Sequence, residues 1–335
     1  MTLGIDRRHL LAGLLAAPVA SRLRAAEADK RYRVAVVATN SPVSEISETS
    51  TIPAFPAFLT GLRRLGYVEG KNLTVLRFSA AGNPDRYETV ISQAVAEAPD
   101  LILSPGLRFA LGFKTATKTI PIIAVVSDPL TSGVVSNVAR PGGNITGISL
   151  DAGLEIWGKR IAFLREIAPT ASRVAVVATE ALWQGSVGEA IREGLRQNSM
   201  THVGSLLRGP FEPSEYEAVF GTFEQAQAIL VDSSPENFVQ RKLIVDLIAK
   251  RRSPAIYGFR DFVDVGGLMS YGVDFAELYR HAADYANLIL NGTPAGDIPI
   301  FQGTKFHLVV NLRTAKASGV TLPATILAQA DDVVE

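Results

Sequence analysis

Two α/β lobes, each a doubly wound and mostly parallel sheet, are the architecture this sequence predicts, and three observations predict it. The heptapeptide RVAVVAT stands at residues 33–39 and again at 173–179, 140 residues later. After each copy, short β-branched runs alternate with helix-length stretches, the pattern of βαβ units whose strands are buried on both faces. The chain's 335 residues also exceed what one hydrophobic core usually organises, which makes an internal repeat of a whole lobe the economical reading.

In the first half, the strand at 33–39 runs into a hydroxyl-rich loop, 40–51, and Pro53 opens a helix that Gly66 stops near Leu65. A second strand at 73–78 precedes a helix at 85–96 behind Pro84. A third strand at 100–103 ends on Ser104-Pro105-Gly106 before a helix at 107–117, and the β-branched run 121–126 is the fourth. Residues 127–149, SDPLTSGVVSNVARPGGNITGIS, join that strand to another at 145–150 through a Gly/Pro break, which reads as a hinge. The second half opens with a helix at 154–167 and repeats the alternation, with strands at 174–178, 203–207, 228–232 and 255–258. Its helices fall at 187–197, 213–223 and 236–250, and a loop at 180–185 carries Trp183. Beyond it lie a glycine-bounded strand at 267–272, a helix from its Asp274 cap to Leu290, and extended segments at 298–300 and 306–310. This extra unit takes the chain back to the first lobe and returns it, giving three crossing strands with hinges at 147–150, 271–274 and 303–305. The lobes are then 29–147 with 274–302, and 148–273 with 303–335.

The first 28 residues follow another logic. Arg7-Arg8 precedes an apolar run, 10–20, too short to span a bilayer but suited to a secretory signal, and Ala26-Glu27-Ala28 offers a small-x-small cleavage site. The arginine pair resembles a twin-arginine signal, with Sec export the alternative. Cleavage after Ala28 turns the balance of 33 basic and 33 acidic residues into 29 against 31, a mildly acidic chain. No basic stripe tracks a phosphate backbone, so nucleic acid is not an expected partner. The absence of cysteine excludes disulfides, thiolate metal sites, cysteine nucleophiles and a lipid-modified N-terminal cysteine. With no later apolar segment of spanning length, the expectation is an exported, soluble, periplasmic monomer that inserts in no membrane.

Catalytic signatures are missing: G-x-G-x-x-G, G-x-x-x-x-G-K-[ST], H-E-x-x-H and G-x-S-x-G do not occur. His202, His281 and His307 are far apart in sequence, and no metal or cofactor is expected. What strand ends offer is binding chemistry, because ligands of open α/β sheets collect there. Thr39, Asn40, Ser41 and Ser104 supply hydroxyl, amide and backbone N–H groups for an anion, with Ser127 at the end of the fourth strand. Asp128, Asp151 and Asp232 offer acceptors for an ammonium or hydroxyl, and Trp183, Tyr257 and Tyr271 offer flat apolar walls.

The stretches GLRRLGYVEGKNL (61–73), SDPLTSGVVSNVARPGGNITG (127–147), LREIAPTASRVAVV (164–177), SYGVDFAELYRHAADYANLILNGTPAGDIPI (270–300) and TKFHLVVNLRTAKASGV (304–320) carry a family resemblance. Over nearly its whole length the chain resembles the ABC transporter substrate-binding family that includes tryptophan/tyrosine uptake proteins. That resemblance implies the type I periplasmic binding fold, with ligand held between lobes that close on a hinge and with Asp128 and the loop after the first strand at the cleft. It implies a non-enzymatic protein that delivers a small molecule, an amino acid or related carboxylate, to an inner-membrane ABC permease and its ATPase. The loops 40–51 and 179–185 (TEALWQG) depart from the family where ligand identity is read. A ligand-sensing ectodomain and a two-lobed transferase are the alternatives, since fold alone does not give function.

Overall fold

A computed structural model describes residues 30–151, 153–303 and 305–335. The expected signal segment, 1–28, lies outside the described residues, and among those described no helix is long and apolar enough to cross a membrane.

The two-lobed parallel α/β architecture is the observed one. Strands β1 (Tyr32–Ala38), β2 (Leu73–Ser79), β3 (Leu101–Pro105), β4 (Ile122–Val126) and β5 (Ile145–Ser149) alternate with helices α1 (Ala54–Arg64), α2 (Tyr87–Ala96) and α3 (Leu107–Ala116). The chain crosses to helix α4 (Glu155–Ile167) and continues through β6 (Arg173–Val177), α5 (Glu180–Gln184), α6 (Ser186–Gln197), β7 (Thr201–His202), α7 (Pro213–Gly221) and β8 (Ala228–Val231). Then come α8 (Pro235–Val239), α9 (Arg241–Arg251), β9 (Ala255–Tyr257), α10 (Arg260–Asp264) and β10 (Met269–Gly272). Helix α11 (Phe275–Leu290) returns to pack on α1, and β11 (Phe301–Gln302) pairs with β5. The chain ends in β12 (His307–Asn311), α12 (Leu312–Ser318), α13 (Ala324–Gln329) and β13 (Asp332–Val334). The sheets run β11-β5-β4-β3-β1-β2 and β13-β12-β10-β9-β8-β6-β7, every pairing parallel except β10 with β12.

The repeated heptapeptide occupies equivalent places: β1 lies between β3 and β2, and β6 between β8 and β7. Its side chains also keep parity, as a period-two strand requires. Val34 and Val36 join the core of α1 and α11 (Phe58, Leu62, Ala282, Ala286), while Val174 and Val176 join that of α4 and α6 (Trp157, Ile161, Ile191, Leu195). Ala35 and Val37 face the opposite side, toward Val90, Phe109 and Phe113 of α2 and α3. The α1–α11 core continues into the second lobe through Phe238, which stacks on Phe275 at 4.1 Å, so the lobes share buried apolar surface at the crossings.

Three elements beside the cleft differ from their sequence reading. The strand expected at 203–207 shrinks to Thr201–His202, because Gly204 takes φ +92°, outside any strand, and Leu207 keeps only an isolated bridge to Thr179. The helix expected at 236–250 is broken at Gln240, which caps α8 at one end and begins α9 at the other. The loop at 180–185 is a short helix whose cap is Thr179, its hydroxyl accepting from the Leu182 N–H.

Close approach decides one glycine. A Cβ on Gly272, at the crossing into α11, would sit 1.8 Å from the Gly258 carbonyl oxygen. Gly272→Ala is therefore expected to lose about 2–3 kcal/mol in a denaturant titration, the upper range for overpacking. Wild-type stability in that variant would show that the two strands can part without penalty.

Candidate functional site

The carboxyl ends of both sheets face each other across a cleft of about 700 Å³. From the first lobe, Thr39 enters at the end of β1, Tyr87 at the start of α2, Leu107 and Arg108 at the start of α3, and Ser127 and Asp128 after β4. From the second, Thr179, Leu182, Val187, Leu207, Phe211 and Glu236 form the facing wall. The strand-to-helix turns put them there, since each parallel strand delivers its following residue to the same edge. The repeat's two threonines, Thr39 and Thr179, thus meet the cleft from opposite sides.

The lobes also touch directly. Thr131 and Ser186 hydroxyls lie 2.6 Å apart, the Phe211 N–H donates to the Gly82 carbonyl at 3.4 Å, and Arg241 donates to the Thr51 carbonyl at 3.0 Å.

Charge in the cleft is unevenly satisfied. Asp128 accepts from the Leu130 and Thr131 N–H groups at 3.0 and 3.1 Å and from the Thr131 hydroxyl at 2.5 Å, so its carboxylate caps the turn that follows it. Glu180 pairs with Arg208 at 3.0 Å. The Arg108 guanidinium lies over the Tyr87 ring, 4.6 Å from its centroid, and Tyr87 is itself buried against Phe109. Half-buried Glu236 has no cation beside it among the described residues, and burial, with Asp232 adding to it, pushes its pKa up to about 7. The Tyr87 hydroxyl is raised by burial first and then by Glu236, with Arg108 opposing, which places both charges within electrostatic reach of one ring.

Of the residues singled out from sequence, Thr39, Ser127 and Asp128 line this cleft, and the others do not. Ser41 is buried with its carbonyl accepting from the Ser79 hydroxyl at 2.5 Å, while the Asn40 amide and the Ser104 hydroxyl are buried with no partner among the described residues. Asp151 is buried and paired with buried Arg160 at 3.1 Å, and burial pushes its carboxyl up while Arg160 pulls it back. Arg160 also donates to the Tyr271 carbonyl at 2.9 Å and stacks on Trp157, tying the first crossing to the second. Asp232 is fully buried, accepts from the Ser234 N–H and the Asn237 amide at 2.7 Å each, and has its pKa pushed up to about 6 by burial. The three aromatic rings chosen as walls lie elsewhere because packing takes them. Trp183 packs at a tilt on His202 at 4.6 Å beneath Arg192, Tyr257 stacks on Phe262 at 4.9 Å in the core, and Tyr271 packs between Phe163 and Phe306. The cleft's aromatic side chains are Tyr87 and Phe211 instead.

Residues 42–334 match the model of a family described as ABC transporter substrate binding protein. A tyrosine-binding protein of Clostridioides difficile (strain R20291) is 25% identical over 286 residues, covering 83% of this chain and 80% of that protein. Among solved structures, a conserved domain protein from Vibrio cholerae O1 biovar El Tor superposes with a TM-score of 0.78 at 23% identity, over 91% of this chain and 100% of that one. An ABC domain in complex with L-Trp from Streptococcus pneumoniae gives a TM-score of 0.76 at 20% identity over the same shares.

Proposed function

The chain belongs to the ABC transporter substrate-binding protein family, whose members deliver small molecules to transporters, and on that premise we propose that it carries an aromatic amino acid in the cleft between its lobes. The observation that supports this most is the cleft's character. Its walls are apolar and aromatic (Tyr87, Leu107, Leu182, Val187, Leu207, Phe211), its volume of about 700 Å³ suits one small ligand, and a few polar groups converge on it. The tyrosine-binding relative and the structure that holds L-Trp point the same way. Export to the periplasm and hand-over to an inner-membrane permease with its ATPase complete the reading, and no chemical step is required of the cleft. Closure over a ligand would add cross-cleft contacts of the kind made by Thr131 and Ser186.

A thermal-shift series on the purified chain tests this. L-tyrosine or L-tryptophan at a hundredfold excess over Kd is expected to stabilise the fold by about 2.7 kcal/mol, a rise of several degrees. No shift with either at millimolar concentration, alongside a clear shift with a sugar or a nucleoside, would reject an amino acid as the ligand.

A further inference from the structure

We propose that Arg108 and Glu236 are the two poles of an α-amino acid site, Arg108 taking the carboxylate from the first lobe and Glu236 the ammonium from the second. The proposal rests on the amino-acid reading and adds which groups recognise it.

The lobe repeat supplies the first argument. Strands β3 and β8 hold equivalent places, each beside the heptapeptide strand of its sheet. Each is followed by a short connection, Gly106 in one lobe and 232–234 in the other, and then by a helix at the cleft edge. Arg108 is the second residue of α3 and Glu236 the second residue of α8. The two lobes therefore place opposite charges at corresponding positions on facing walls.

Electrostatic environment supplies the second. Every other charged side chain lining the cleft is satisfied locally: Asp128 by its own turn, Glu180 and Arg208 by each other. Among the described residues Arg108 has only the face of Tyr87 and Glu236 has no cation, and the two line the same cleft from opposite lobes, both acting on the Tyr87 hydroxyl. A half-buried carboxylate without a partner is a costly arrangement that a bound cation relieves. An α-amino acid carries its ammonium and carboxylate on one carbon, so a single ligand backbone can engage groups that converge from two lobes. At the Arg108 end the α3 N-terminus assists, because Gly106 gives it no side-chain cap and its first N–H groups remain open to an anion. The ligand's side chain is then left to the apolar wall of Leu182, Val187, Leu207 and Phe211.

The test is a crossed calorimetric series. L-tyrosine, tyramine (no carboxylate) and desaminotyrosine (no ammonium) are titrated into wild type, Arg108→Met and Glu236→Gln. Each substitution is expected to weaken L-tyrosine about tenfold or more, the range for a hydrogen bond to a charged group. Glu236→Gln should also weaken tyramine while leaving desaminotyrosine unchanged, and Arg108→Met should do the reverse. Circular dichroism and unliganded melting confirm that both variants fold, and Glu236→Asp and Arg108→Lys serve as charge-keeping replacements if they do not. Wild-type affinity for L-tyrosine in both variants overturns the assignment while leaving the amino-acid reading standing, and so does an equal loss for both analogues. Failure of the wild type to bind either L-tyrosine or L-tryptophan removes that reading and this one with it.

Discussion

Arg160→Met is expected to cost about 3–5 kcal/mol of folding stability, the loss typical of removing one partner from a buried ion pair. Arg160 and Asp151 are 1% and 2% exposed, and they meet at 3.1 Å. Without the guanidinium, Asp151 keeps a carboxylate in a site that already lifts its pKa, and nearby Asp232 loses a compensating charge. The Tyr271 carbonyl loses its donor and Trp157 its stacking partner in the same step. Since Asp151 follows β5 and Tyr271 lies in β10, the damage falls where the chain passes between lobes. Urea titration gives the loss directly. Adding Asp151→Leu to Arg160→Met should recover a substantial part of it, because the uncompensated charge is then gone. A loss below about 1 kcal/mol for the single variant would mean that water reaches the pair and solvates Asp151.

Affinity for L-tyrosine is expected to rise with pH by up to about tenfold per unit between pH 5 and 7 and then to level off. In the unliganded cleft, burial holds the Glu236 pKa at about 7, and a ligand ammonium favours its ionised form, so below pH 7 binding must first expel a proton. The groups around it do not reproduce this profile. Tyr87 and Tyr216 are raised further above the neutral range, and Asp232, at about 6, is bonded to Ser234 and Asn237. Stability of the unliganded fold runs the other way. A carboxyl raised from 4.5 to about 7 contributes stability that is fully present below pH 4.5 and is lost as pH rises through 7. Calorimetry at pH 5, 6, 7 and 8 on wild type, Glu236→Gln and Asp232→Asn separates the carboxyls. The Glu236→Gln profile should be flat, and equal wild-type affinity at pH 5 and 8 would show that no carboxyl near Glu236 titrates on binding.

How much of the site was legible follows from how each residue reaches it. Thr39, Ser127 and Asp128 were readable because a parallel strand carries the next residues to its carboxyl edge, a fact of the local chain. Thr179, the second copy of the RVAVVAT threonine, reaches the cleft by the same strand-end geometry as Thr39. Trp183, Tyr257 and Tyr271 also stand near strand ends, and nothing local told an aromatic ring in the cleft from one in the core. Their partners decided it, and those partners are His202, Phe262, Phe163 and Phe306, all distant in sequence except Phe262. Asp151 carries the same ambiguity, which its buried pairing with Arg160 resolves.

By itself the sequence determined the two-lobed α/β class, most strand and helix positions, the Asp274 cap and the first-lobe edge of the cleft, because periodicity, caps and breakers act over a few residues. Only the tertiary structure decided that Arg108 and Glu236 line one cleft from opposite lobes, that Asp128 is occupied by its own turn, and that the crossings are tied by Arg160. Those outcomes depend on two lobes packing through a shared core at Phe238 and Phe275, and contacts between segments so far apart along the chain leave no local pattern to read.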